Sequence, residues 1–155
     1  METLAYAKLN LTLDVLSRRA DGYHDMKMVM QSVELTDRVS LIPNGTERMR
    51  ASSNLGFLPT GEKNLAVAAA LAFYRSLNAP IRGWDIALKK QIPVCAGMAG
   101  GSSDAAAVLR ALNREEGEPF TPGQLAGIGE QVGSDVPYCV LGGTALAEGR
   151  GERLT

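Results

Sequence analysis

From Ile92 to Leu112 the chain reads Ile-Pro-Val-Cys-Ala-Gly-Met-Ala-Gly-Gly-Ser-Ser-Asp-Ala-Ala-Ala-Val-Leu-Arg-Ala-Leu, a glycine-rich loop running into an alanine-rich segment. Alanine is the strongest helix former and serine a natural N-cap, so Ser102 and Ser103 predict a helix over Ser103–Asn113. Gly97, Gly100 and Gly101 let backbone N–H groups approach a ligand closely. A helix N-terminus carries unpaired N–H groups and a partial positive charge, which makes this loop a candidate anion cradle, for phosphate above all. A Walker A loop would end in Gly-Lys-Ser/Thr, whereas these glycines lead into Ser-Ser-Asp. The dinucleotide fingerprint Gly-x-Gly-x-x-Gly does not fit the spacing either. A plain N-capped helix is the simpler reading of the same residues, but a cap alone does not call for glycines at 97, 100 and 101.

With 155 residues the chain has the size of one domain and can bury a core. Hydrophobic residues at 45% and charged residues at 21% are globular values. A net charge of −1 and an aromatic content of 5% argue against a nucleic-acid partner, which calls for a basic face or stacking aromatics. Cys95 and Cys139 lack zinc-ligand spacing and the chain has a single histidine, so no metal site is expected; both thiols read as mostly buried groups of a reducing compartment. No signal peptide is visible, and the apolar run Leu65–Phe73 is too short to span a bilayer. These features predict a soluble, cytoplasmic domain without a membrane partner.

Leu4–Leu16 alternates as a strand with Leu9, Leu11, Leu13 and Val15 on one face. Arg18–His24, with Asp21-Gly22, predicts a turn. Met26–Leu35 then returns as a second strand and Arg38–Ile42, after Thr36-Asp37, forms a third. A weak strand is expected near Arg48–Ser52, and Asn64–Leu77 is a helix closed by Asn78-Ala79-Pro80. Trp84–Leu88 alternates as a strand. Thr121-Pro122-Gly123-Gln124 carries the signature of a capping box and opens a third helix ending near Val132-Gly133. Val136–Leu141 reads as a buried strand and Thr144–Glu148 as a short last one. The sum is an α+β domain without internal repeats.

Beside the loop, two segments carry chemistry. Lys8 and Asn10, two residues apart, share a face of the first strand. A lysine inside an apolar strand needs an acidic or anionic partner, unless it snorkels from an edge. Gly133-Ser134-Asp135-Val136-Pro137 sets an aspartate before an apolar run, which fits both ordinary turn chemistry and a catalytic carboxylate. His24 alone is equally well a surface residue. Asp104 near the start of the predicted helix is favoured by the helix dipole and reads as structural.

Taken in order, Ala7-Lys8-Leu9-Asn10-Leu11, Arg19–His24, Pro93–Ala106, Gly133–Pro137 and Gly142-Gly143-Thr144-Ala145-Leu146-Ala147-Glu148-Gly149 resemble the GHMP kinase superfamily, from about Ala5 to the end of the chain. The Ala20–His24 segment resembles the members that phosphorylate the 2-hydroxyl of a cytidine-diphosphate-linked methylerythritol in non-mevalonate isoprenoid biosynthesis. The resemblance implies a ribosomal-protein-S5-domain-2-like fold and ATP and Mg²⁺ as cofactors. The triphosphate would be held by Pro93, Val94, Cys95, Ala96, Gly97, Met98, Ala99, Gly100, Gly101, Ser102 and Ser103, with a hydroxyl from Ser102 or Ser103 contributing. Asn64 matches a position on the adenine side. Tyr23 matches a residue stacking on cytosine and His24 one hydrogen-bonding it. Lys8, Asn10 and Asp135 match positions around the acceptor hydroxyl. Asp135 would be the general base, with Lys8 favouring its ionised form and stabilising the attacking oxygen.

The resemblance also implies that residues 1–155 are the N-terminal ATP-binding domain, and that a C-terminal domain lies outside this chain and forms the other wall of the substrate cleft. These residues alone are expected to bind nucleotide weakly and turn over little. Ala96 and Ala99 stand where glycine is frequent in that family. Two other functions remain open at this point: a GHMP kinase with a different small-molecule acceptor, and a non-catalytic S5-like module binding RNA or protein.

Overall fold

The spine of the sheet is β2 (His24–Pro43), and the other strands are placed by their pairing to it. β1 (Glu2–Arg18) runs antiparallel along one edge of β2, with Lys8 opposite Ser32 and Arg18 opposite His24. The other edge of β2 is shared by two strands. β4 (Trp84–Lys89) pairs with its second half and β5 (Thr144–Gly149) with its first. β3 (Met49–Ser53) extends the sheet in parallel beside β4, and β6 (Arg153–Leu154) closes the other end beside β5. The computed structural model describes residues 1–18, 20, 22, 24–149, 151 and 153–155.

Helices α1 (Leu65–Leu77), α2 (Gly100–Glu115) and α3 (Pro122–Glu130) cover the face that carries Val39, Leu41, Ile86 and Leu88. Both of the first two helices are alanine-rich in the core: Ala66, Ala69 and Ala70 on α1, and Ala105, Ala106 and Ala107 on α2, are all fully buried. Side chains this small let the backbones approach, and the rest of the core fills with Phe73, Tyr74, Leu109 and Leu112. A smaller cluster, Met28, Met30, Tyr138 and Ala147, joins α4 (Val136–Leu141) to β2 and β5.

The expected α+β organisation, the helix at Leu65–Leu77 and the capping box at Thr121 are all present; Thr121 accepts from Gln124 N, and the Gln124 side chain accepts from Thr121 N. Five local expectations differ. Thr36-Asp37 is not a turn, because β2 runs straight through it; Asp37 is tolerated in mid-strand because its buried carboxylate is fully used by tertiary partners. Val136–Leu141 is a helix, not a strand, and a six-residue apolar run carries no periodicity to separate the two. Leu9, Leu11, Leu13 and Val15 do not share a face: the register shift between Asn10 and Thr12 sets Leu9 opposite Gln31 but Leu13 opposite Met28, and all four are exposed, Leu11 and Val15 at 59% each. Cys95 is exposed and Cys139 partly buried.

The fifth difference concerns the glycine loop. Helix α2 starts at Gly100, and Ser103 N donates to Ala99 O at 2.8 Å, so Ser102 and Ser103 lie inside the first turns and cap nothing. The N-cap is Ala99, held in the left-handed region at φ 56°, ψ 29° with no side-chain cap. An L side chain there costs roughly 1–2 kcal/mol, against roughly 0.5–1 kcal/mol of extra unfolded-state entropy for glycine. Ala99→Gly is therefore expected to stabilise the fold by about 0.5–1 kcal/mol in equilibrium urea unfolding. Asp104, counted from this earlier start, lies beyond the first turn, so the helix dipole does not explain it.

Candidate functional site

Lys8 sits in β1 among residues that face the helices, and its side chain is only 5% exposed. Its ammonium finds the expected acidic partner in Asp135, Nζ to Oδ2 3.8 Å, and donates to Asn10 Oδ1 at 2.9 Å. A slip between the β1–β2 partners at Tyr6 and Lys8 lets Ala7 and Lys8 both turn inward. Asp135 is the residue just before α4, and its side chain is 31% exposed, so one flank of the carboxylate reaches solvent while the other meets Lys8. Residues far apart in sequence thus form a compact Asn10–Lys8–Asp135 array.

The glycine loop is tied to that array through the backbone: Lys8 N donates to Met98 O at 3.1 Å. Ser103 Oγ donates to Tyr6 O and is buried, so it is turned away from the loop mouth; Ser102 is partly exposed there. Behind Ser103, burial pushes the Cys139 thiol up to about 11, which keeps it a neutral packing group. Pro93, Val94, Cys95, Ala96 and Gly97 are exposed, while Met98, Ala99 and Gly100 are half-buried. The loop takes left-handed geometry at Cys95, Gly97 and Ala99. It curls over the start of α2, whose first N–H groups have no helical partner.

Asn64 caps α1: its Oδ1 accepts from Ala66 N at 3.0 Å and its amide donates to Pro59 O at 2.8 Å. It lines a cavity of about 170 Å³ together with Gly100, Gly101, Cys95, Lys90 and Asp104. His24 lies at the start of β2, exposed, with Asp25–Gln31 separating it from Ser32, the partner of Lys8. The structure therefore does not bring His24 into the Lys8 array. Tyr23 lies outside the described residues.

Sequence reasoning missed one cluster. Lys90 Nζ donates to Asp104 Oδ2 at 2.5 Å and to Asp37 Oδ2, and all three side chains are buried. Asp37 Oδ1 also accepts from Gln91 N at 2.5 Å and Ile92 N at 2.8 Å. The loop is thereby anchored at its start by β2 and at its helix by Lys90. Asp104 Oδ1 is buried with no partner. Burial pushes the Asp104 carboxyl up to about 7, with Lys90 opposing the shift and Asp37 adding to it. A lysine directly before the loop, after a strand, was the available sequence signal; its acidic partners were not readable from spacing. Among the described residues no group of three His, Cys, Asp or Glu side chains is placed to hold a metal ion, and no helix is long and apolar enough to cross a membrane.

Comparison with known proteins identifies residues 64–143 with the family described as GHMP kinases N terminal domain. The chain is 51% identical over 150 residues to 4-diphosphocytidyl-2-C-methyl-D-erythritol kinase of Exiguobacterium sibiricum, covering 97% of this chain and 52% of that protein. It is 47% identical over 157 residues to the same kinase of Clostridium botulinum, covering 100% of this chain and 55% of that one. A crystal structure of 4-(cytidine 5'-diphospho)-2C-methyl-D-erythritol kinase matches with a TM-score of 0.83 and 39% identity, over 100% of this chain and 54% of that one. The mevalonate kinase of Methanococcus jannaschii, at 15% identity and a TM-score of 0.74 over 100% of this chain and 55% of that one, shares the fold. The chain spans about half the length of the relatives it matches.

Proposed function

The chain belongs to the GHMP kinase family, and on that premise we propose that it is the N-terminal, ATP-binding half of a kinase that phosphorylates the 2-hydroxyl of 4-diphosphocytidyl-2-C-methyl-D-erythritol. The observation that carries this reading is the Lys8–Asp135 pair, joined by a backbone hydrogen bond to a glycine loop over a helix N-terminus.

Phosphoryl transfer asks a protein to position two reactants and to neutralise charge. The loop Pro93–Gly101, with Ser102, receives the phosphates of MgATP, where helical N–H groups and the macrodipole favour anions. Magnesium enters as part of that substrate. Asn64 forms the adenine-side wall. The acceptor hydroxyl lies against Asp135, which takes its proton as the oxygen bonds to the γ-phosphorus and the bond to the β–γ bridging oxygen breaks, releasing ADP. Lys8, held by Asn10, offsets charge on the attacking oxygen. Tyr23 and His24 supply the cytosine contacts in this reading. The far half of the protein forms the other wall of the substrate cleft and excludes water. A cytoplasmic location, where ATP is supplied, belongs to the same proposal.

The test is an ATP- and Mg²⁺-dependent phosphorylation assay on the cytidylyl substrate, comparing this chain with a protein extended to the full length of its relatives. Turnover by the extended protein, with little or none by this chain, is expected. An extended protein that hydrolyses or binds ATP but phosphorylates only another polyol would instead make it a GHMP kinase of different acceptor.

A further inference from the structure

The Asp37–Lys90–Asp104 cluster sets two buried carboxylates against one buried ammonium, directly beneath the loop that receives phosphate in the function proposed above. A Cβ built on Gly100 would lie 3.4 Å from Lys90 Nζ, so the ammonium sits under the first residue of α2. The two carboxylates are not equivalent. Asp37 has both oxygens satisfied, by two backbone N–H groups and Lys90. Asp104 has one oxygen on Lys90 and the other orphaned in the interior. With all three groups charged, the cluster carries a net charge of −1 and repels any polyanion placed on the loop above it.

We propose that Asp104 is a positioning residue that takes up a proton when a nucleotide polyphosphate occupies the glycine loop, so that the cluster becomes neutral and nucleotide affinity is tied to pH. This rests on the loop being the nucleotide site. Protonation falls on Asp104 because both oxygens of Asp37 are already taken by three donors, while Asp104 keeps one buried oxygen without a partner. The groups facing Asp104 are Lys90 at the end of β4 and Asp37 from β2. Lys63 and Cys95 line the same cavity, and α1 contributes the neutral Asn64. With Asp104 pushed up to about 7 before ligand arrives, the switch operates around neutral pH. The sign follows directly. A bound polyanion raises that value further, so the liganded state holds more protons, and affinity falls as pH rises through and above about 7.

The experiment titrates MgADP by calorimetry into the protein extended to the full length of its relatives, from about pH 6 to about pH 8.5, in two buffers of different ionisation enthalpy, for the wild type and Asp104→Asn. The wild type is expected to lose affinity by up to about tenfold per pH unit at the alkaline end, and to take up a proton on binding. Asp104→Asn keeps the shape and the acceptor for Lys90, and is expected to bind without linked proton uptake and more tightly than wild type at alkaline pH. A purely structural role would instead lower affinity by the same factor at every pH. Parallel profiles for the two proteins, with binding intact, would overturn this inference and leave the kinase reading standing. Absence of MgADP binding by both would overturn the kinase reading and this inference with it. If the variant does not fold, the buffer dependence of the wild type alone decides: no proton uptake overturns the proposal.

Discussion

Asp135→Asn, made in a protein extended to the length of its relatives, is expected to lower kcat by about 10²–10⁴-fold, the range a positioned general base contributes. Asparagine matches the carboxylate in size and still offers an oxygen to Lys8, now 3.8 Å from Asp135 Oδ2, so the loss is in proton acceptance and not in shape. The KM for MgATP is expected to stay near wild type, because Asp135 does not line the cavity formed by Asn64, Gly100 and Gly101. A loss confined to KM for the polyol, with kcat unchanged, would demote Asp135 to a binding group. Steady-state kinetics separate the two outcomes. Lys8 supplies an internal check. Its ammonium is buried and loses its acidic partner in the variant, so a modest fall in thermal stability accompanies the kinetic effect.

Elements with strong local chemistry were legible in the sequence. The Thr121-Pro122-Gln124 capping box encodes its own helix start, and the alanine- and leucine-rich run Leu65–Leu77 has no competing state. Where local chemistry was ambiguous, tertiary context decided. Val136–Leu141 is apolar at every position, and it is helical because Asp135 O takes Cys139 N and Pro137 sits in the first turn. Asp37 looks like a turn residue until Lys90 and two loop N–H groups arrive from more than fifty residues away. The start of α2 shifted because Ala99 adopts a conformation that composition disfavours. At the candidate site, the need of Lys8 for an anion was readable from its apolar strand, and the structure supplies Asp135 as that partner. The identity of a lysine's partners, as with Lys90, is a property of the fold.

Lys90→Met is expected to cost about 3–5 kcal/mol, the penalty for leaving a buried charge without its partner, which is a large share of the roughly 5–15 kcal/mol that a domain commands. Methionine follows the lysine stem closely, so little of the loss comes from packing. The backbone stays in place as well, since Asn54 receives Lys90 N at 2.7 Å and donates to Lys90 O at 3.2 Å. What remains is electrostatic: two carboxylates face each other in the interior with only the Gln91 and Ile92 N–H groups to serve Asp37. Urea unfolding near pH 8 should show the full deficit. It should shrink on acidification, because lowering the pH neutralises carboxylates that have no counter-charge in the folded state. Adding Asp104→Asn to Lys90→Met should recover part of the loss near pH 8 by removing one of the two stranded charges. In wild type the same substitution should also stabilise, since a carboxyl pushed up to about 7 by burial weakens the fold progressively between about pH 4 and pH 7 and most strongly above it. If Lys90→Met were no less stable than wild type near pH 8, the ammonium would be only one of several supports for the loop, and the anchoring of α2 to β2 would have to rest on apolar packing around Ile92 and Leu88 alone.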